Sequence, residues 1–127
     1  MPGKHFYEYA VIRVVPRVER EEFINVGLIM FSKRAKFLKT RYIINQGKLG
    51  LFSTELDMES LRDNLAAFDR ICSGAKDGGV IASFDMIERF RWLVAVRSTS
   101  IQTSPSRMGF SDNLDHTFDR LFHELVE

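Results

Sequence analysis

Two stretches, "FYEYAVIRVV" at residues 6 to 15 and "INVGLIMFS" at 24 to 32, constrain this chain more than any other feature. Both are rich in β-branched and aromatic residues, and both carry apolar side chains on each of the two alternating faces of an extended strand. A strand wetted on one side alternates apolar with polar residues, so a strand apolar on both faces must be covered on both. These two belong inside a sheet. Their connection, "PRVEREEF", opens with Pro16, which ends the first strand, and it is too short for a crossover helix, so the strands run antiparallel. Gly27, within the second, marks either a bulge or a place where another backbone comes close.

The chain then changes character. "FLKTRYII", residues 37 to 44, sets Leu38, Thr40, Tyr42 and Ile44 against Lys39 and Arg41, the pattern of a half-buried strand, and "SKRAK" joins it to the previous strand as a basic hairpin. "NQGKLG" reads as a loop. Asp57 is placed to cap a helix over about 58–73, where Leu61, Leu65, Phe68 and Cys72 recur at helical spacing before Ser73 and Gly74. After the loop "KDGG", Ser83 reads as the cap of a second helix to about Arg91, using Ile87, Phe90 and Val94. "WLVAV" fits either the end of that helix or the start of a strand, and "STSIQTS" looks extended. Asp112 reads as the cap of a terminal helix with Leu114, Phe118, Leu121, Phe122 and Leu125 on one side and Asp115, Asp119, Arg120 and Glu124 on the other. With no repeat and no low-complexity segment, residues 1–127 are expected to form one α+β domain. It has a small, mainly antiparallel sheet of three to four strands packed on about three helices in two layers.

A chain of 127 residues buries roughly two-thirds of its unfolded surface, and 45% hydrophobic residues with 11 Phe supply the core to do it. The one cysteine, Cys72, has no internal disulfide partner, and no apolar leader follows Met1, so a reducing cytoplasm is the expected home. The longest apolar runs fall short of the roughly 20 residues of a membrane helix. A net charge of +1 hides an asymmetry: residues 1 to 48 hold ten Lys/Arg and four Asp/Glu, the remainder eight and thirteen. Within one domain such halves chiefly form two surfaces that attract each other.

The usual catalytic templates are missing. The chain has no phosphate-binding glycine loop, no dinucleotide fingerprint, no H-E-x-x-H and no nucleophile elbow. His116 and His123 are seven residues apart on a helix, about 10 Å, too far to share a metal, and His5 lies near the N-terminus. No metal or cofactor is expected. Cys72 sits on an apolar stripe, where a thiol behaves as a small hydrophobe.

What remains is charge near apolar strands. Glu19, Glu21 and Glu22 resemble in their spacing the acids of a metal-dependent nuclease, but Arg13, Arg17 and Arg20 crowd the same stretch, and interleaved opposite charges usually satisfy one another. Arg13 is different. It shares a strand face with Tyr9, Val11 and Val15, so its guanidinium must snorkel or pair, with Glu22 or Glu19 as internal candidates and a ligand phosphate or a partner's carboxylate as external ones. A second polar cluster, "RSTSIQTSPSR" at 97 to 107, joins two arginines to Ser98, Thr99, Ser100, Gln102, Thr103, Ser104 and Ser106, a mixture suited to anions and equally to an ordinary loop. The cations of the hairpin, Lys33, Arg34, Lys36, Lys39 and Arg41, suit nucleic acid and also suit an edge strand protected from aggregation.

"YAVIRVVPRVEREEFINVGLIMF" resembles the start of a bacterial family catalogued as domain of unknown function 3037, through Arg13, Pro16, Arg17, Glu19, Arg20, Glu22, Asn25 and Gly27. A second similarity runs through Arg97, Ser98, Gln102 and Pro105. The resemblance brings no established activity or catalytic residues. It implies a small stand-alone bacterial protein, and some members are encoded beside a HipA-like kinase.

The expectation is a non-enzymatic accessory module that binds a protein partner, a HipA-like kinase being the candidate the resemblance supplies. Its surface is built from Arg13, Arg17, Glu19, Arg20, Glu22, Asn25, Arg97, Ser98 and Gln102. The alternative is a binder of, or an enzyme acting on, a phosphate-containing ligand or nucleic acid, with Arg13, Arg17 and Arg97 as the anion clamp and Glu19 or Glu22 as acid or metal ligand.

Overall fold

The computed structural model describes residues 3–15, 22–45, 47–49, 57–95 and 101–127. β1 (His5–Val14) and β2 (Ile24–Ser32) pair antiparallel from Glu8 opposite Phe31 to Val14 opposite Ile24. β3 (Phe37–Tyr42) continues the sheet beyond β2 through a four-residue turn in which Lys36 takes a left-handed φ of 52°. The other edge of β1 is shared. β4 (Ile101–Thr103) pairs with Ile12–Val14, and β5 (Arg107–Ser111) pairs with His5–Tyr9. Among the described residues every pairing is antiparallel, and the sheet has five strands rather than three or four. The additional strand comes from splitting one edge between two short segments.

Ser104 makes that split possible. Its backbone N–H donates to the Val11 carbonyl at 2.8 Å, and its hydroxyl accepts from the Val11 N–H at 2.9 Å. A side chain thus replaces a ladder acceptor where the chain turns from β4 towards Pro105, which has no N–H to give.

Three α-helices are described. α1 (Met58–Ser73) begins at Asp57, whose carboxylate accepts from the amides of Glu59 and Ser60. The Ser60 hydroxyl, also bonded to Asp57, holds that carboxyl below its ordinary range. The helix ends at Gly74, which takes the left-handed φ of 70° that glycine accommodates without strain. α2 (Met86–Leu93) is capped by Asp85, not by Ser83, which closes a short 3-10 turn at Ile81–Ser83. Asp85 has the advantage because its carboxylate reaches the Glu88 amide three residues on. Trp92 and Leu93 finish α2, Val94 and Ala95 leave it, and Val96 lies outside the described residues. α3 (Leu114–Leu125) starts from Asn113, which accepts from the His116 amide, rather than from Asp112. Residues 47–49, read as loop, form a helical turn that buries Leu49.

The helices occupy both faces of the sheet. Ala10, Ile12, Val14, Ile24, Val26, Ile29 and Phe31 face α1 and α2, with Phe31 and Phe90 stacked 4.9 Å apart. Tyr7, Leu28 and Met30 face α3 through Leu114, Phe118, Leu121 and Phe122. The domain is α+β in three layers, not two. Strands apolar on both sides require this arrangement, since α3 covers the face that a two-layer packing would leave wet. Lys39 and Arg41 share the covered face: they lie over the Phe118 ring at 4.8 and 5.0 Å and pair with Asp115 and Asp119, each at 3.0 Å.

Candidate binding site

Gly27 meets both of its expected roles. The register skips Val26 between Gly27 opposite Ile12 and Asn25 opposite Arg13, which is a bulge in β2. A Cβ on Gly27 would lie 2.7 Å from the Arg41 carbonyl oxygen, so β3 also comes too close for any side chain. Beyond the bulge, Asn25 on β2, Arg13 on β1 and Gln102 on β4 stand side by side across three strands. Directly opposed residues in antiparallel strands share a face. Four of the nine residues named from sequence are described, and three of them form this row. The fourth, Glu22, is half-buried two residues before β2. Arg17, Glu19, Arg20, Arg97 and Ser98 lie outside the described residues. Val14, the last residue of β1, is paired with both Ile24 and Ile101, so the two motifs of the sequence meet the described sheet at one end.

The row is half-buried, and its polar atoms are unequally served. The Asn25 Nδ2 group donates to the carbonyl of Leu125 at 3.1 Å, capping one of the carbonyls that the end of α3 leaves without a helical partner. Among the described residues the Oδ1 atom of the same amide is buried with no donor and the Nε atom of Arg13 is buried with no acceptor; the other such atom, Arg89 Nε, lies apart on α2, where the Arg89 guanidinium donates to the Phe84 carbonyl. The Arg13 guanidinium lies 4.0 Å above the ring of Phe23, itself 45% exposed. Phe23 was not singled out from sequence; its signal was an aromatic side chain directly after two glutamates, one residue before a strand. Buried groups without partners are rare in folded proteins and mark strain or function. A small cleft of about 90 Å³ lined by Asn25, Asn45, Lys48 and Glu127 adjoins the row, and a mainly apolar one of about 200 Å³, walled by Phe68, Ile71, Trp92 and Ile101 from α1, α2 and β4, reaches it at Gln102.

The chemistry on offer is recognition. The row supplies a guanidinium, two carboxamides and an aromatic face. Among the described residues no three His, Cys, Asp or Glu side chains gather as metal ligands. Cys72 is buried on the inner face of α1, where desolvation, reinforced by nearby Asp69, pushes its thiol up to about 12. The hydroxyls beside Gln102 are already engaged: that of Ser104 serves the Val11 backbone, and that of Thr103 donates to the Val94 carbonyl.

The family model described as "Protein of unknown function (DUF3037)" matches residues 9–126. The chain belongs to this family. The match takes in the Arg13 row, the five described strands in whole or part, and the whole of α3. No curated protein and no solved structure matches the chain. Among the described residues, no helix is long and apolar enough to cross a membrane.

Proposed function

We propose that this family member is a non-enzymatic accessory module that binds a protein partner at the Arg13 row. One observation carries the reading: among the described residues the Arg13 Nε donor and the Asn25 Oδ1 acceptor are buried without partners on neighbouring strands. A polypeptide offers what that pair lacks, a carbonyl for the donor and an N–H for the acceptor, whereas an ionised phosphate offers acceptors only. Phe23, exposed and stacked on the guanidinium, gives the apolar cover that a partner would bury or lift. The candidate partner is a HipA-like kinase. Calorimetric titration of the wild-type protein against such a kinase tests it, with Arg13→Ala and Phe23→Ala as variants. Truncating an arginine at the centre of a contact typically costs about 2 kcal/mol or more, a roughly thirtyfold weaker Kd. Binding that is absent in the wild type, or unchanged in both variants, would sink the proposal.

The second reading is an anion site in which Arg13, Arg17 and Arg97 hold a phosphate-containing ligand, favoured by the missing acceptor at Arg13 Nε. A ligand at a hundred times its Kd adds about 2.7 kcal/mol, a melting shift near 10 °C for a chain of this size. No shift with phosphate, nucleotides or magnesium would count against this reading and leave the first standing.

A further inference from the structure

The two edges of the sheet are finished in opposite ways. On β3, Lys39 and Arg41 are anchored to Asp115 and Asp119 of α3, and charges of this kind deter pairing with another chain. β5 carries no such protection along its centre. Met108 and Phe110 are 68% and 66% exposed, and they project to one side, because Met108 stands opposite Glu8 and Phe110 opposite Phe6. Phe6, 43% exposed, meets Phe110 edge-on at 5.6 Å and extends the patch inward. Between them, Gly109 lies under the ring of Tyr7, where a Cβ would come within 2.6 Å of the Tyr7 hydroxyl. Glycine is what lets β5 sit against β1 there. Among the described residues β5 pairs with β1 alone, so its outer backbone edge is open.

We infer that β5 is a self-association edge, on which a second copy of this chain pairs antiparallel through its own β5 about a twofold axis at Gly109. The strand is complementary to itself in that register. Met108 of each copy falls opposite Phe110 of the other on the same face, giving two apolar cross-strand pairs flanked by Phe6. Arg107 begins the strand and Asp112 follows its end, so the antiparallel approach brings each cationic end to the other copy's anionic end. A parallel approach would set like against like. Phe6, Met108 and Phe110 together expose roughly 350 Å² of apolar surface, taking about 200 Å² for each side chain. That is under half of the roughly 800 Å² per partner in a standard stable interface, so the dimer is weak, with a Kd on the order of 100 µM.

Sedimentation equilibrium from about 10 to 800 µM spans that range. The expected result is a wild-type mass that rises towards twice the monomer, while Phe110→Asp and Met108→Asp stay monomeric. Val80→Lys, which alters an equally exposed side chain away from the sheet, should behave as wild type. Circular dichroism on each variant confirms that the fold is kept. The register has its own readout. On oxidation, a mixture of Met108→Cys and Phe110→Cys chains should form the mixed disulfide in excess over either homodimer, with buried Cys72 silent. A wild type that stays monomeric throughout, a dimer that survives both aspartates, or cross-links showing no preference for the mixed pair would each overturn the inference.

Discussion

Replacing Ser104 with alanine separates a structural hydroxyl from a ligand-binding one. In the wild type the Ser104 oxygen accepts from the Val11 N–H at 2.9 Å in a buried bond, and it also lies 3.1 Å from the Pro105 carbonyl. Ser104→Ala keeps the backbone bond from the residue-104 N–H to the Val11 carbonyl but leaves the Val11 N–H with no acceptor. Burying an amide without a partner costs about 1–3 kcal/mol, and the lost desolvation of the hydroxyl recovers only part of it. The expected net loss is about 2 kcal/mol, or a melting temperature lower by roughly 8 °C. Urea unfolding with an unchanged m-value measures the loss, and amide exchange at Val11 locates it. Ser106→Ala, at an exposed position two residues on, should stay within about 0.5 kcal/mol of wild type. If Ser104→Ala is as mild as Ser106→Ala and Val11 keeps its protection, the hydroxyl is not standing in for a strand acceptor and the account of the split edge is wrong.

Other perturbations test other joints of the fold. Gly27→Ala should destabilise by about 3 kcal/mol in urea unfolding, because the new Cβ meets the Arg41 backbone oxygen rather than a side chain that can turn away. Asp119→Ala should cost no more than about 1 kcal/mol, and the cost should fade in 1 M salt, since its bond to Arg41 is largely exposed. Cys72 should resist thiol reagents at pH 8 until the protein unfolds. Its thiol is raised from an ordinary value of 9.0 to about 12, so the folded state holds a proton that the unfolded state releases, and stability should fall as pH climbs from 9 towards 12 in a urea series. Lys36→Gly should stabilise by about 0.5–1 kcal/mol, because a residue at φ 52° is strained unless it is glycine.

The central strand pair, its antiparallel sense, Gly27, α1 and the apolar stripe of α3 were legible because each depends on local periodicity or on one residue's steric limits. β4 was legible only as part of an extended stretch, "STSIQTS", because "IQT" is too short to show alternation, and β5 was not legible, because "RMGFS" leaves Met108 and Phe110 exposed and burial wrote no pattern into it. The layer count was misjudged although its evidence was present: the two-sided apolarity of β2 already required a covering element on each face, and α3 was available. The cap shifts, from Ser83 to Asp85 and from Asp112 to Asn113, show that choosing between adjacent capping residues needs backbone geometry that sequence does not carry. Of the site, sequence supplied the residues but not their alignment. Arg13 and Gln102 are 89 positions apart, and only the register of β4 on β1 sets them side by side.

The charge asymmetry of the chain is resolved unevenly on the face of the sheet that α3 covers, where Arg13 differs from Lys39 and Arg41. Lys39 and Arg41, from the basic half, are matched by Asp115 and Asp119 from the acidic half, which is the attraction between surfaces that composition alone suggested. These pairs weaken the view of the hairpin as a nucleic-acid ribbon, because two of its five cations already face carboxylates and lie over aromatic rings. Arg13 sits on the same face of the same sheet, in a strand more deeply buried than β3, yet among the described residues its Nε has no acceptor, and its guanidinium rests on an exposed phenylalanine. Stability alone would favour an apolar residue there, as at Val11 and Val15, because a buried donor left open costs more than a methyl group gained. Arg13→Met should therefore raise the unfolding free energy while abolishing partner binding, and a variant that loses stability and keeps its partner would return Arg13 to the ordinary ion-pair lattice of its neighbours.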